Sequence, residues 1–452
     1  MEQWRRLVAE YESGLGDDAV EPSSPPPPQG ERDAWLAATL PVLDLALGAV
    51  AALGAAAARA GATGTLVTSG PDPARVAAAF GSDRLLRLDG RPVDGFAPLS
   101  GFFRTADGWV RTHANYPHHR ARLLHLLGVH DGAGRDEVAD RLAAASAAAL
   151  EDDAAAAGAI VVRVRAEEEW RGSEPGAAAW DRPLVRTARR ADTLAGPPDG
   201  AGPLPGGPAP LAGVRVLDLT RVIAGPVATR ALAQLGADVL RVDPPVPAEI
   251  RWQHLDTGQG KRSTLLDLHD PGDRERAQAL LDDADVLVTG YRPGALEAFG
   301  LRLPPGVVRA RVTAWGDAGP WARRRGFDSI VQAASGIALV SSADGVTPGA
   351  LPAQALDHAT GYLLAAGVVD ALRARSRDGR GRDVDAALAR TAAWLLDADG
   401  RDRAHPPPAV PPSGTVVSHG HQPRVTTARP ALPGADDHRA PAHPWGTDHA
   451  TW

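Results

Sequence analysis

At 452 residues with a formal charge of -7, the chain is long enough for two cores, since a single hydrophobic core stops growing at roughly 250–300 residues. Acids and bases are mixed without a basic block, which argues against nucleic acid, and no apolar run reaches the ~20 residues that span a bilayer. Cysteine is absent, so disulfides, thiol nucleophiles and Cys-ligated zinc are excluded, and with no signal-peptide core after Met1 a cytoplasmic protein is expected.

Residues 1–30 end in Pro25-Pro26-Pro27-Pro28 and read as a stiff surface arm. Residues 31–190 follow as a smaller α+β region. Within it, Glu31 to Ala60 predicts one or two largely buried helices, carrying Trp35, Leu36, Leu40, Leu43, Leu45 and Leu47. Short β-type runs come next at Leu85–Leu88, Gly101–Thr105 and Gly108–Val110, and Asp107-Gly108 marks a hairpin turn. His118 to Leu127 predicts a helix, and Arg135 to Ala157 an alanine-rich helical segment. A Gly/Pro-rich linker is expected over 191–209.

The large domain, 210–395, opens on the pattern that dominates the chain. Val214, Val216, Leu217 and Leu219 form a nearly continuous apolar run, as in a strand buried on both faces of a parallel sheet. Ala224-Gly225-Pro226 then turns into a helix that stops at Gly236, and Asp238 to Val242 is a second strand. In such a β-α-β unit the helix N-terminus points unpaired N–H groups at the ligand edge of the sheet, so an anionic group is the natural occupant. The loop lacks the Gly-x-Gly-x-x-Gly of dinucleotide sites, which disfavours nicotinamide or flavin. Further strands at Ser263–Leu268, Val286–Val288 and Val307–Ala314, a helix from Asp270-Pro271 to Leu281, and a long helix from Ala359 to Ala374 complete an α/β alternation. A Rossmann-like parallel sheet with helices on both faces is therefore predicted. The tail, 396–452, is rich in Pro, His and Gly and reads as a wrapping or loosely ordered segment.

Several motifs succeed one another along this domain: Gly260-Lys261-Arg262-Ser263, Tyr291-Arg292-Pro293-Gly294-Ala295-Leu296-Glu297, Gly326-Phe327-Asp328 with Gln332 and Ser335-Gly336, Asp357 before Gly361, and Gly379 to Asp385. In this order, over about residues 208–395, the chain resembles class III CoA-transferases, the family of formyl-CoA and carnitine CoA-transferases to which α-methylacyl-CoA racemase is related. The hairpin at Asp107-Gly108-Trp109-Val110 and Glu168-Glu169-Trp170 resemble that family's smaller domain, which normally follows the large one. A permuted or partly duplicated domain order is implied.

The resemblance makes Asp357 the nucleophile, although by itself an Asp just before an apolar helix reads as an N-cap. A helix N-terminus is expected to keep it ionised for attack on a thioester. The implied reaction moves CoA from an acyl-CoA to a carboxylic acid through an aspartyl anhydride and an aspartyl-CoA thioester, with no metal and no tightly bound cofactor. By position, Arg221, Val222, Ala224, Lys261, Arg262, Tyr291 and Arg325 are the candidates to hold CoA; Lys261 is the single lysine of the chain. Gly290 and Ala298 depart from the family's Asn and Arg, which leaves an idle acyl-CoA-binding homologue as one alternative. An acyl-CoA racemase is the other, disfavoured because Phe327 stands where that branch has histidine. A homodimer is implied. The histidines at 113, 118 and 119 and at 419 and 421 lack metal-site spacing and read as surface or packing groups.

Overall fold

Apolar residues on both faces of successive strands require a sheet covered on both sides. The computed structural model describes residues 2–194, 203–291, 294, 297–420 and 423–452. Seven strands form its main sheet: β1 Val185–Thr193, β2 Arg215–Leu219, β3 Asp238–Asp243, β4 Arg262–Leu265, β5 Val286–Thr289, β6 Val308–Thr313 and β7 Arg380–Ala387. Their order is β1-β7-β6-β5-β2-β3-β4. Every pairing is parallel except that of β1 with β7. From β2 the chain winds outward through β3 and β4, then returns to β5 on the other side. Strand order therefore reverses between β2 and β5, where open α/β sheets leave a crevice at the strands' carboxyl ends.

The helix Ala224–Gln234 follows β2 with Pro226 in its first turn, as the sequence predicts. It crosses the helix Ala355–Asp378, which is buried on nearly every side. Close approach there requires Gly361, because a Cβ at that position would lie 2.5 Å from the Ala224 carbonyl oxygen.

The N-terminal part is built onto the same body. The helix Val42–Arg59 lies against Ala355–Asp378 and the helix Gln3–Ser13. Arg59 donates to Asp370 at 2.7 Å and to Glu12 at 2.6 Å, and the Tyr11 hydroxyl donates to Asp370 at 2.8 Å. Among the described residues Val42–Arg59 is long and apolar enough to cross a membrane, and here most of it is buried inside the protein. A three-stranded sheet, Gly101–Arg104, Trp109–Thr112 and Val161–Arg163, carries its own core of Phe103, Val110, Leu123, Leu124, Val138 and Leu142.

Several expectations change in detail. Residues 31–41 are irregular, so the first region holds one helix rather than two. The segment from Arg135 to Ala157 is two helices, because Asp107 in the hairpin turn accepts the Ala147 N–H and starts the second. Strand β1 extends to Thr193, into the expected linker, and residues 195–202 lie outside the described residues. The tail contributes a hairpin, Val416–His419 and Val425–Ala428, that pairs with Arg87–Leu88.

Both edges of the main sheet are covered. Antiparallel β1 closes one. On the other, β4 is flanked by the tail: Asp448 N–H donates to the Ser263 carbonyl at 2.8 Å, Ser263 N–H to the Asp448 carboxylate at 2.7 Å, and Gly260 N–H to the Ala440 carbonyl at 2.9 Å.

Candidate functional site

The crevice between β2 and β5 is a cleft of about 310 Å³. Its floor comes from the strand ends, Leu219, Arg221, Val222, Gly290 and Tyr291, and its walls from Thr313 to Trp315 and Arg324 to Phe327. The small region roofs it with Tyr116, His118 and His119. Arg221, Arg324 and Arg325 therefore line one crevice, and arginine is a residue type suited to phosphates. Buried Glu249 holds the near side together. It accepts from the Tyr116 hydroxyl at 2.6 Å and Arg241 at 2.7 Å, and it pairs with Arg221 at 3.5 Å. It also accepts the N–H of Val222, whose φ of +72° is a strained conformation for a β-branched residue.

Behind the cleft lies a second, much smaller space of about 20 Å³ that contains Asp357. Val222 and Phe327 line both spaces and form the partition. Phe327 is fixed by its neighbours: a Cβ on Gly326 would meet Ala314 at 2.5 Å, and the phenyl ring stacks on His113 with centroids 3.7 Å apart and planes 5° from parallel. Asn115, Gln253 and Ser329 complete the chamber with Asp83.

Asp357 sits in the first turn of Ala355–Asp378, with Gln354 at the N-cap position, so the expected capping role falls to another residue. Asp328, at the start of the helix Asp328–Ser335, accepts the Asp357 N–H at 2.9 Å and caps the long helix from outside. None of the hydrogen bonds among the described residues reaches the Asp357 carboxyl oxygens. Burial and then the charge of Asp328 push the Asp357 carboxyl well above the usual carboxylate range. The expectation that the helix N-terminus keeps it ionised is thus reversed, because desolvation and a like charge outweigh the helix. Burial raises Asp328 and Asp83 as well. The His113 imidazole is kept neutral by burial, with His119 adding to the effect.

Arg221, Val222, Tyr291 and Arg325 line the cleft, as their place in the sequence suggests, and Asp357 lies just behind it. Lys261, Arg262 and Ala224 are elsewhere. Lys261 is buried, its ammonium 2.5 Å from Thr229 Oγ1, 2.8 Å from the Pro226 carbonyl and 3.1 Å from Asp218. Asp218 on β2 is itself fully buried and needs a counter-charge, and burial lowers Lys261 to about 8. Arg262 lies on the outer edge, paired with Asp238 at 2.9 Å and donating to the Thr451 carbonyl. Ala224 is enclosed where its helix meets Gly361. Of the motif after Tyr291, residues 292–293 and 295–296 lie outside the described residues, as does His421.

Sequence reasoning missed Glu249, Arg324, His113, Gln253 and Ser329. The run Arg323-Arg324-Arg325 before Gly326-Phe327-Asp328 is a legible signal for the second of these. His113, read as a surface or packing group, is a packing group, buried in the chamber wall, and only the fold brings it to Phe327. Among the described residues no cluster of three or more His, Asp or Glu is placed to hold a metal ion.

Residues 211–421 match the profile of CoA-transferase family III. An acetyl-coenzyme A transferase of Hypoxylon pulicicidum is 35% identical over 211 residues, 43% of this chain and 35% of that protein. The beta subunit of a succinyl-CoA–L-malate CoA-transferase from Chloroflexus aurantiacus is 36% identical over 202 residues, 40% of this chain and 49% of that one. A crystal structure of a hypothetical protein from Mycobacterium tuberculosis shows 35% identity, covering 42% of this chain and 56% of that one with a TM-score of 0.39. The chain spans about half the length, or less, of the curated relatives it matches here.

Proposed function

We propose, from the match of residues 211–421 to the model of CoA-transferase family III, that this chain moves CoA from an acyl-CoA thioester to a carboxylic acid, with Asp357 as nucleophile. The observation that carries the reading is the pairing of two spaces: a cleft lined by three arginines, and directly behind its Phe327 wall a carboxyl group with no hydrogen-bond partner among the described residues. The cleft suits the phosphates of CoA, through Arg221, Arg324 and Arg325, with Tyr291 and Val222 beside them. The thioester then projects toward the chamber.

In the first step an ionised Asp357 oxygen attacks the thioester carbonyl. The C–S bond breaks, its electron pair leaves on sulfur, and an acyl-aspartyl anhydride remains. The thiolate next attacks the aspartyl carbonyl and expels the donor as a carboxylate, leaving an aspartyl-CoA thioester. An acceptor carboxylate displaces the thiolate to form a second anhydride. The thiolate attacks the acceptor acyl carbon and restores Asp357. Each step conserves acyl activation, so neither ATP nor a metal is consumed.

Incubation with an acyl-CoA panel, followed by mass spectrometry, tests this directly. An adduct mapped to Asp357 and missing in Asp357→Ala supports the covalent route, and its absence with every donor in folded protein removes it. One observation favours a second reading, α-proton exchange on an acyl-CoA: His113, stacked on Phe327, returns an imidazole to the chamber of Asp357. Deuterium uptake at the α-carbon without CoA exchange would point there. We further read the protein as cytoplasmic and homodimeric, with the region before residue 191 acting as a permuted or duplicated small domain; light scattering tests the dimer.

A further inference from the structure

Three buried polar atoms in the chamber of Asp357 have no hydrogen-bond partner: His113 Nδ1, Gln253 Oε1 and Ser329 Oγ. Each residue is at least nine-tenths buried. Leaving such atoms unpaired is costly, and a native interior normally pairs them. All three belong to residues that line one space with Asp357, so the chamber is a polar site in which an entering group can supply the partners.

The chemistry of the three atoms narrows what that is. Gln253 Oε1 only accepts, and the Ser329 hydroxyl both donates and accepts. A neutral imidazole nitrogen at His113 takes either part according to tautomer. A hydroxyl group satisfies this set, donating to Gln253 Oε1 while its two lone pairs accept from the Ser329 hydroxyl and from a protonated His113 Nδ1. A carboxylate does not, since it brings acceptors only and meets the carboxyl groups of Asp83 and Asp357 in the same space. An alkyl chain leaves all three atoms unpaired. At about 20 Å³ with Phe327 in place, the space takes little more than one small group, so the occupant is also short.

Resting on the transferase reading above, we infer that the acyl group carried by Asp357 is a short hydroxyacyl group whose hydroxyl binds between His113, Gln253 and Ser329. Phe327 sets the length limit.

Competition in the wild-type protein decides this without a variant. Equimolar 3-hydroxybutyryl-CoA and butyryl-CoA, which differ only by the hydroxyl, are offered together, and the adducts on Asp357 are counted by mass spectrometry. The hydroxyacyl adduct is expected to dominate about tenfold, the scale of one buried hydrogen bond. Succinyl-CoA and octanoyl-CoA are expected to load more slowly than either. Ser329→Ala should bring the ratio near unity while Ser329→Thr, which keeps the hydroxyl, retains it, and Phe327→Ala should raise octanoyl loading relative to butyryl. Equal loading of 3-hydroxybutyryl-CoA and butyryl-CoA, or fastest loading by succinyl-CoA, overturns the inference and leaves the transferase intact. Loading by none of the four removes the transferase reading and the inference with it.

Discussion

The cleft and the chamber share a wall and differ in every other respect. One is about 310 Å³ and lined by three arginines; the other is about 20 Å³ and lined by the carboxyl groups of Asp83 and Asp357. On the proposed reading, binding and reaction fall in opposite electrostatic environments that share the Val222 and Phe327 wall. A cationic crevice concentrates a polyanion without needing a precise fit. A desolvated carboxyl is a poor anion in isolation and a strong nucleophile once ionised away from water, so its reactivity depends on being walled off.

The contrast can be broken most severely on the chamber side. Asp357→Asn keeps the shape and removes the nucleophile; acyl loading, read by mass spectrometry, is expected to vanish while CoA still binds. Next in size is Lys261→Met, which separates structure from site. It leaves Asp218 charged and buried, and a loss of about 3–5 kcal/mol in denaturant unfolding is expected. CoA affinity of the folded protein should not move, and Asp218→Asn in the same chain should recover part of the loss. On the cleft side, Arg325→Ala should weaken CoA by about tenfold in titration calorimetry, as loss of a charge-assisted bond does, and make binding less sensitive to salt.

The smallest effect sharpens the comparison. Asp328 raises Asp357 by like charge, after burial. Asp328→Asn removes that part, so the rise of acyl loading with pH should move to lower pH in stopped-flow or quench measurements. The sign for stability is opposite to the common carboxylate case. Both carboxyls are raised on folding, so their protonation favours the native state, and stability is expected to fall as pH climbs from the ordinary carboxylate range near 4 toward about 6. Asp328→Asn should flatten that slope in unfolding experiments.

Much of the large domain is legible because its signals are local. The apolar run at 214–219, Pro226 at the first turn and Gly236 at the end define β2, its helix and β3 to within two residues. Arg221, Val222 and Tyr291 could be placed by their position in the loop and motif that carry the family resemblance, and the strand ends at the switch point bring them to the cleft. Lys261 misled for a physical reason: a lone lysine in a loop near a predicted anion site looks like a phosphate ligand, and nothing local says that Asp218, 43 positions away, requires it. The chamber was illegible for the same cause. His113 lies 214 positions from the ring it stacks on and 244 from Asp357, and the burial that raises the Asp357 carboxyl is a property of the assembled core.

The tail along β4 carries a consequence for how the chain comes to be folded. Strand β4 ends at Leu265, and the backbone groups that flank it come from residues 440–448, near the other end of the chain. During synthesis the first strands emerge long before their cover. An open strand edge recruits any other strand it meets, including one from a neighbouring nascent chain. The interval during which this edge stands open is therefore set by translation of everything between Leu265 and Ala440, and removing residues 438–452 is expected to expose β4 to association, visible as concentration-dependent growth in light scattering.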